Sequence, residues 1–498
     1  MAACLFLVCA ALPGAAAARS HAGRAPASPR PPALLLRFDL ALAGQALVTP
    51  WLDSARAPAT EADLPGGLRP RPLTLRQALD QAMADAPALA RGLAAVDKAE
   101  AGLTGAGNAF LPQLDLQAQL ARYGNPGKQA TLIGSTVVQG EAAFYSSYAA
   151  LSASLNLYAG GRNRAGYLAA HAEFDAARED LEDLRIRQLT RVLEGYTALV
   201  KAQESYRNQR EAEARYARRT ELVAAAQRLG EASRLDLGAA RQELGKQRQL
   251  SLQQAAELEA QAGQLAVGLG AELPAGVRLQ ALDMIPEPPA LPDPSAFDPD
   301  AALADHPALR AGRLRVEAAR NKVDAARALS RPRLDLVGSY NWVGRDANSA
   351  GGAIDATQAN SYTVGLALQQ SLAPLVQKNT ALQAAQAELR DAEAQLRETR
   401  LGLWNAQRQA LAEVARGRAA LAIAREAEAD ATEALTLQLA RQRHGRGSER
   451  ELIDARGNAA ARQLERLFQD CNYRLTAWAA FAVLDPRRYA ATLLANAH

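Results

Sequence analysis

One turn is written twice in this chain. GEASRLDLGAAR, beginning at Gly230, aligns without a gap on GRGSERELIDAR, beginning at Gly445. Gly230 matches Gly445, Ser233 matches Ser448, Asp236 matches Glu451, Leu237 matches Leu452 and Arg241 matches Arg456. The doubled turn belongs to a doubled body. LRQALDQAMADAPALARG near Leu75 resembles PDAALADHPALRAGR near Pro299, FLPQLDL at Phe110 resembles SRPRLDL at Ser330, and SYAALSASLNLYAGG at Ser147 answers SYTVGLALQQSLAPL at Ser361. The chain therefore divides into repeat 1 over 73–284 and repeat 2 over 300–485. A proline-rich extended linker, 285–299, joins them. A low-complexity segment, 19–72, precedes the repeats and a short tail, 486–498, follows.

Each repeat carries the same order of signals. A helix comes first, over Leu75–Gly107 and over Ala301–Leu329. Pro112 and Pro332 stop it, and two alternating segments follow in each repeat: strands over 110–123 and 147–158, then over 331–343 and 361–372. In LDLQAQL, Leu114, Leu116 and Leu120 point one way while Asp115, Gln117 and Gln119 point the other, which makes a strand with one apolar and one wet face. Asn163–Leu229 and Lys378–His444 then run without proline, long enough for continuous helices of about 100 Å. Leu382, Leu389, Leu396 and Leu403 recur every seventh position, and Leu189, Leu193, Tyr196 and Val200 alternate steps of four and three, which are coiled-coil-like seams. Gly230 and Gly445 end the long helices. Return helices run from Leu235 toward Leu269 and from Leu452 toward Leu484. Ser233 with Asp236, and Ser448 with Glu451, have the spacing of capping boxes, so each pair opens a return helix at a hairpin tip.

Composition excludes several classes of function. Ala, Leu, Arg, Gln and Glu dominate and only 5% of residues are aromatic, as expected of long helices packed side by side. A formal charge of +4 on 498 residues, with arginines interleaved among acids, is a solvated helix surface and no nucleic-acid stripe. Of the three cysteines, Cys4 and Cys9 lie in the apolar leader and Cys471 stands alone, so no disulfide frame is expected. His21, His171, His306, His444 and His498 are scattered, and no metal, cofactor or catalytic motif is found. Residues 1–18 read as a signal peptide with AAA before Arg19 as the cleavage site, although its positive n-region is missing. ALLLRFDLALAGQALV from Ala33 is a second candidate leader, and Cys9 is a candidate for lipid attachment. No later apolar run is long enough to make a membrane-spanning helix.

Four amphipathic strands of about ten residues match what crosses an outer membrane when tilted. Four cannot close a barrel, and open edges are not tolerated in hydrocarbon, so several copies must pool their strands. The doubled body, the Leu-Thr-Leu opening at Leu73, the YAGGRNRAG segment and the G-x-x-S-x-x-D/E-L-x-x-A-R tips resemble the TolC-like outer membrane factor family. The resemblance spans about Leu73 to Leu484. It implies a mainly α fold with a membrane β-barrel, assembled as a homotrimer: a twelve-stranded β-barrel in the outer membrane continued by a twelve-helix α-barrel through the periplasm. It also implies an exit duct recruited by a periplasmic adaptor and an inner-membrane ABC exporter or other pump. On general likeness the cargo reads as a protein of the haemolysin or cyclolysin type, with multidrug efflux as the alternative. From another class, a soluble or periplasmic coiled-coil scaffold explains the helices but not the leader or the four symmetric strand windows.

The resemblance matches Glu451 and Asp454 to carboxylates that narrow the periplasmic end of the duct; Asp236, at the first tip, is expected as a third member by its place there. Three chains would form a negative ring, whose crowding raises pKa values and makes conductance sensitive to mild acid. Glu451 also has a capping role to fill. Gly230, Ser233, Gly445 and Ser448 are the expected tip residues for adaptor docking. Family members often carry a basic residue where Gly447 stands, so a constricting salt bridge does not transfer. Tyr123, Phe144, Tyr145, Tyr148, Tyr158, Tyr340, Trp342 and Tyr362 fall in or beside the strand windows and are expected to form an aromatic belt against outer-membrane lipid. The alternative for these aromatics is ordinary strand propensity.

Overall fold

The computed structural model describes residues 68–124, 130–133, 136–139, 143–291, 303–371, 378–444 and 448–497. The expected signal peptide, most of the low-complexity segment, most of the linker, and Gly445, Arg446 and Gly447 lie outside them. Two helices open the first half, α1 (Leu75–Asp85) and α2 (Pro87–Asn108). Thr74 caps α1 with a full capping box, its hydroxyl accepting the Gln77 N–H at 3.2 Å while the Gln77 side chain accepts the Thr74 N–H at 3.1 Å. The single helix expected over Leu75–Gly107 is broken here, because Pro87 forces Ala86 into extended backbone (ψ 124°) and starts a new helix as its first residue. In the second half Pro307 does the same, and α5 (Pro307–Ala328) starts there behind a His306 cap.

The strands β2 (Gln113–Gly124), β5 (Ala143–Tyr158), β7 (Arg333–Asp346) and β8 (Gln358–Gln369) form one antiparallel sheet in the order β2-β5-β7-β8. A short hairpin, β3 (Ala130–Ile133) and β4 (Thr136–Gln139), lies between β2 and β5, and a one-turn helix, α6 (Ala350–Asp355), between β7 and β8. Bulges interrupt the register at Asn156/Tyr158 and at Asn341/Trp342.

Below the sheet, α3 (Arg162–Arg228) and α7 (Thr380–Arg443) run unbroken for 67 and 64 residues, roughly 100 Å each. Their return helices are α4 (Arg234–Leu269) and α8 (Glu449–Leu484). The α3 seam is buried: Leu189, Leu193 and Tyr196 are 0% exposed and Val200 6%. The α7 leucines 382, 389, 396 and 403 are only half-buried, because α7 leaves a broad apolar surface uncovered within one chain. Ion pairs Arg310–Glu179 (2.5 Å), Lys322–Glu173 (2.6 Å) and Arg315–Asp180 align α5 along α3. All three are partly exposed, so they set register more than stability.

Midway along the helices a compact core gathers the two ends of the described chain. Strand β1 (Arg69–Leu73) pairs in parallel with β6 (Val277–Ala281), and α9 (Pro486–Asn496) packs beside α3 and α8. Leu75, Leu79, Leu269, Trp478, Tyr489 and Leu493 are all at or below 1% exposure there. Tyr196 projects from α3 into this core. Its hydroxyl lies 2.9 Å from Asp283 Oδ1 and 3.1 Å from the Leu73 carbonyl, and burial pushes its pKa well up. Most of the segment read from the sequence as a tail, Pro486–Asn496, is thus a packed helix. No helix among the described residues is long and apolar enough to cross a membrane.

Candidate functional site

The hairpin tips are built by local chemistry alone. Gly230 has φ +80°, the left-handed region that non-glycine residues avoid. The Glu231 N–H bonds the Ala226 carbonyl at 2.9 Å and the Gly230 N–H bonds the Gln227 carbonyl at 3.1 Å, the Schellman pair that closes a helix C-terminus. Three residues on, Ser233 accepts the Asp236 N–H at 3.1 Å and the Asp236 carboxylate accepts the Ser233 N–H at 3.0 Å. The second tip repeats the cap: Ser448 accepts the Glu451 N–H at 3.2 Å, and Glu451 Oε2 stands 3.5 Å from the Ser448 N–H.

Asp236, Glu451 and Asp454 are all exposed. Asp236 and Glu451 are committed to caps, while Asp454 makes no hydrogen bond or ion pair among the described residues. The Ser233 hydroxyl, followed by its N–H, holds the Asp236 carboxyl below its ordinary value of 3.8. A depressed folded-state pKa means that the cap is complete above the unfolded value and is lost as pH falls through the folded one. The first tip therefore stays capped at neutral and mildly acid pH. Within one chain no hydrogen bond or ion pair joins Asp236 to Glu451 or Asp454.

The sheet register sorts the aromatic residues. Directly opposed residues share a face. Leu116 opposes Leu151, which opposes Tyr340, which opposes Tyr362; Leu336 opposes Leu366. Most of this apolar face is bare, Leu116 being 73% exposed and Tyr362 77%, while α6 covers its loop end, where Ser147 is buried and donates to the Ala353 carbonyl at 2.6 Å. Tyr145 and Trp342 share it toward the loop end of the sheet, and Tyr158 shares it at the helix end. Tyr123, Phe144 and Tyr148 are on the other face, with Gln117, Gln119, Ser152 and Asn341. Tyr123 stacks on Phe144 (centroids 5.2 Å), Arg345 lies over Phe144, and the Tyr148 hydroxyl donates to Asn341. The expectation of one belt of eight is corrected for these three, because side chains alternate along a strand. Tyr340 and Tyr362 share the apolar face but sit midway along it, away from either rim.

At the helix end the structure shows a cluster to which the sequence reading gave no role. The segment YAGGRNRAG makes the corner from β5 into α3, with Gly160 at φ +64° and Gly161 at +93°. Arg331 donates to the Gly160 carbonyl at 2.8 Å. Asn163 bridges the Ala109 carbonyl and Asn156, and Asn156 donates to the buried Asp335 at 2.7 Å, which also accepts from Arg333 at 2.5 Å. A cavity of about 260 Å³ lies at this corner, lined by Gln113, Asn156, Arg162, Arg331, Arg333 and Asp335 among others. The available signal was a Gly-Gly doublet between a strand and a helix, facing the basic segment RPRLD of the other half.

The model of the outer membrane efflux protein family matches residues 78–271 and again 299–484. The chain belongs to this family. Outer membrane efflux proteins are channels of the outer membrane extending into the periplasm, and are not enzymes. Among solved structures, the chain resembles the outer membrane channel CmeC of Campylobacter jejuni, at 17% identity and TM-score 0.68, covering 85% of this chain and 89% of that one. It also resembles a membrane protein from Pseudomonas aeruginosa, at 20% identity and TM-score 0.65, over 82% and 93% of the two chains. The outer membrane protein VceC of Vibrio cholerae gives 18% identity and TM-score 0.63, over 82% and 95%. At these identities the likeness concerns the fold. No curated protein sequence matches the chain significantly. Among the described residues no group of His, Cys, Asp and Glu is placed to hold a metal ion.

Proposed function

We propose that this outer membrane efflux protein is the exit duct of a tripartite export system, built from three copies of the chain. One observation carries the reading. The four-stranded sheet has a mostly bare apolar face and two open edges, β2 and β8, and such a sheet is stable in a bilayer only when its edges are paired. Three chains close a barrel of twelve strands, each chain supplying one repeat-built pair from either half, and the helices α3, α4, α7 and α8 continue it as a twelve-helix tube. The apolar face meets lipid and the face carrying Gln117, Gln119 and Asn341 lines the lumen. Tyr145 and Tyr158 then stand about 43 Å apart along β5, roughly 30 Å when the strand tilts, which suits the two interfaces of the membrane. Mass measurement in mild detergent checks the assembly: a trimer is expected, and a monomer or a soluble dimer overturns it.

Glu451, Asp454 and Asp236 form the periplasmic entrance, a negative ring that concentrates cations. In planar bilayers the Glu451→Ala, Asp454→Ala double variant is expected to lose most of the cation preference and the block by divalent cations. Unchanged selectivity reduces these carboxylates to caps and surface charge.

The tips, with Gly230, Ser233, Gly445 and Ser448, dock a periplasmic adaptor that brings an inner-membrane ABC exporter or other pump. At Gly230 an added Cβ meets nothing within 4 Å, so valine there acts through the backbone, at about 1–2 kcal/mol. The expected phenotype of Gly230→Val is lost export with a normally assembled trimer. Normal export removes this tip from the docking surface.

For the cargo we carry protein secretion of the type I kind. The family's description as efflux proteins supports small compounds as the second reading. A deletion strain separates them: failure to release a secreted toxin favours the first, and increased drug susceptibility favours the second.

A further inference from the structure

We infer that the cavity at the corner between β5 and α3 is a binding site for an anionic group, a phosphate or carboxylate, carried by solutes passing through the duct. The inference rests on the orientation proposed above, with the polar face of the sheet inward.

The strand residues around the cavity fix where it opens. Gln113 opposes Ser154, and Asn156 opposes Asp335, so the strand part of the lining belongs to the polar face. A lipid headgroup on the apolar side does not reach it. The cavity is also complete within one chain, since β2, β5, β7 and the ends of α2, α3 and α5 all contribute.

Its charges are unequal. Three guanidiniums line it, against one carboxylate. Asp335 is 6% exposed and already spoken for, accepting from Arg333 and from Asn156. Arg331 has no acidic partner among the described residues and gives one N–H to the Gly160 carbonyl. Arg162 is exposed, and its side chain makes no hydrogen bond or ion pair among the described residues. Two positive charges per chain are thus uncompensated at this cavity, and their forked donors match phosphate and carboxylate oxygens. Ala109, Leu111, Ala159 and Leu329 supply the apolar part of the wall. The volume, about 260 Å³, takes a small group and not a whole drug-sized molecule. Three copies make a positive collar where the barrel meets the helical tube, opposite in sign to the carboxylates at the tips.

Arg162 is the residue to change, because Arg331 holds the corner and Arg333 neutralises a buried acid. Inorganic pyrophosphate is the probe, in two measurements on the full chain. By calorimetry in detergent, wild-type protein is expected to bind it, Arg162→Gln about tenfold more weakly, and Arg162→Glu more weakly still. In planar bilayers pyrophosphate is expected to reduce wild-type current, with the same order of loss in the variants. Arg218→Gln, far along α3, serves as control and is expected to match wild type. No binding to wild type, or equal binding to Arg162→Glu, overturns the inference. Binding that depends on Arg162 without any effect on current leaves the site standing and overturns its place in the lumen. Failure of the wild type to form channels at all overturns the duct itself, which the calorimetric arm reports separately.

Discussion

Trp478→Ala is expected to remove the folded protein from the outer membrane. Trp478 is 0% exposed, meets Phe481 and Tyr489 edge-on at 6.0 and 6.2 Å, and donates its indole N–H to the Pro286 carbonyl at 3.1 Å. Truncating a fully buried tryptophan costs about 3–5 kcal/mol through lost burial and the cavity left behind. Folded domains are stable by only about 5–15 kcal/mol, so a large share of the margin goes. Trp478→Phe keeps much of the volume but leaves the Pro286 carbonyl unpaired, and is expected to lose about 1–3 kcal/mol. Abundance in the outer-membrane fraction and Tm of the purified protein check both. Wild-type Tm in Trp478→Ala sinks the assignment of this core.

The second large effect is expected at Gly160. A Cβ built there falls 2.5 Å from Arg331 Cβ and 3.2 Å from the Ala328 carbonyl oxygen, at φ +64°. The contacted atom is the root of its side chain, and Arg331 precedes Pro332, which restricts its backbone. Neither partner yields cheaply. Gly160→Ala therefore combines a left-handed backbone penalty of about 1–2 kcal/mol with overpacking of about 1–3 kcal/mol. Gly230→Ala, at φ +80° with open space around it, carries the backbone penalty alone. The comparison separates the two contributions: thermal unfolding is expected to show a clearly larger loss at Gly160, and equal losses refute the close approach at the corner.

Much of the helical fold was legible because its determinants are local. Proline-free runs, the Ser233 and Ser448 caps and the Gly230 terminator each act within a turn or two of chain, and α3, α4, α7 and α8 end within a few residues of where these signals put them. The break at Pro87 was equally local and was passed over because the apolar periodicity continues through it. The faces of Tyr123, Phe144 and Tyr148 were missed for another reason. Type and position within a strand window identify an aromatic, but parity along the strand decides which side it serves. The junction cluster was illegible because its parts come from both halves. Nothing in sequence says that Asn156 will meet Asp335, or that Arg331 will meet Gly160, until β5 and β7 are known to pair. The unpaired Asp454 and the capped Glu451 show a limit of another kind: a single chain fixes each side chain's local work, while any ring they form belongs to the assembly.

The pairing of β1 with β6 has a consequence for biogenesis. Arg69 lies opposite Val277, and Arg76 reaches the Leu494 carbonyl at 2.8 Å, so the central core is fastened by some of the first described residues, by others about two hundred positions later, and by almost the last. As the chain emerges into the periplasm, Leu75 and Leu79 must wait for α3 and α4, about one to two hundred residues later, before they are covered. Contacts of such span form slowly, and the exposed intermediate is open to proteolysis and aggregation. A polypeptide truncated before Tyr489 retains every described strand and both hairpins but lacks Tyr489, Leu493 and Ala497, the part of this core that is made last.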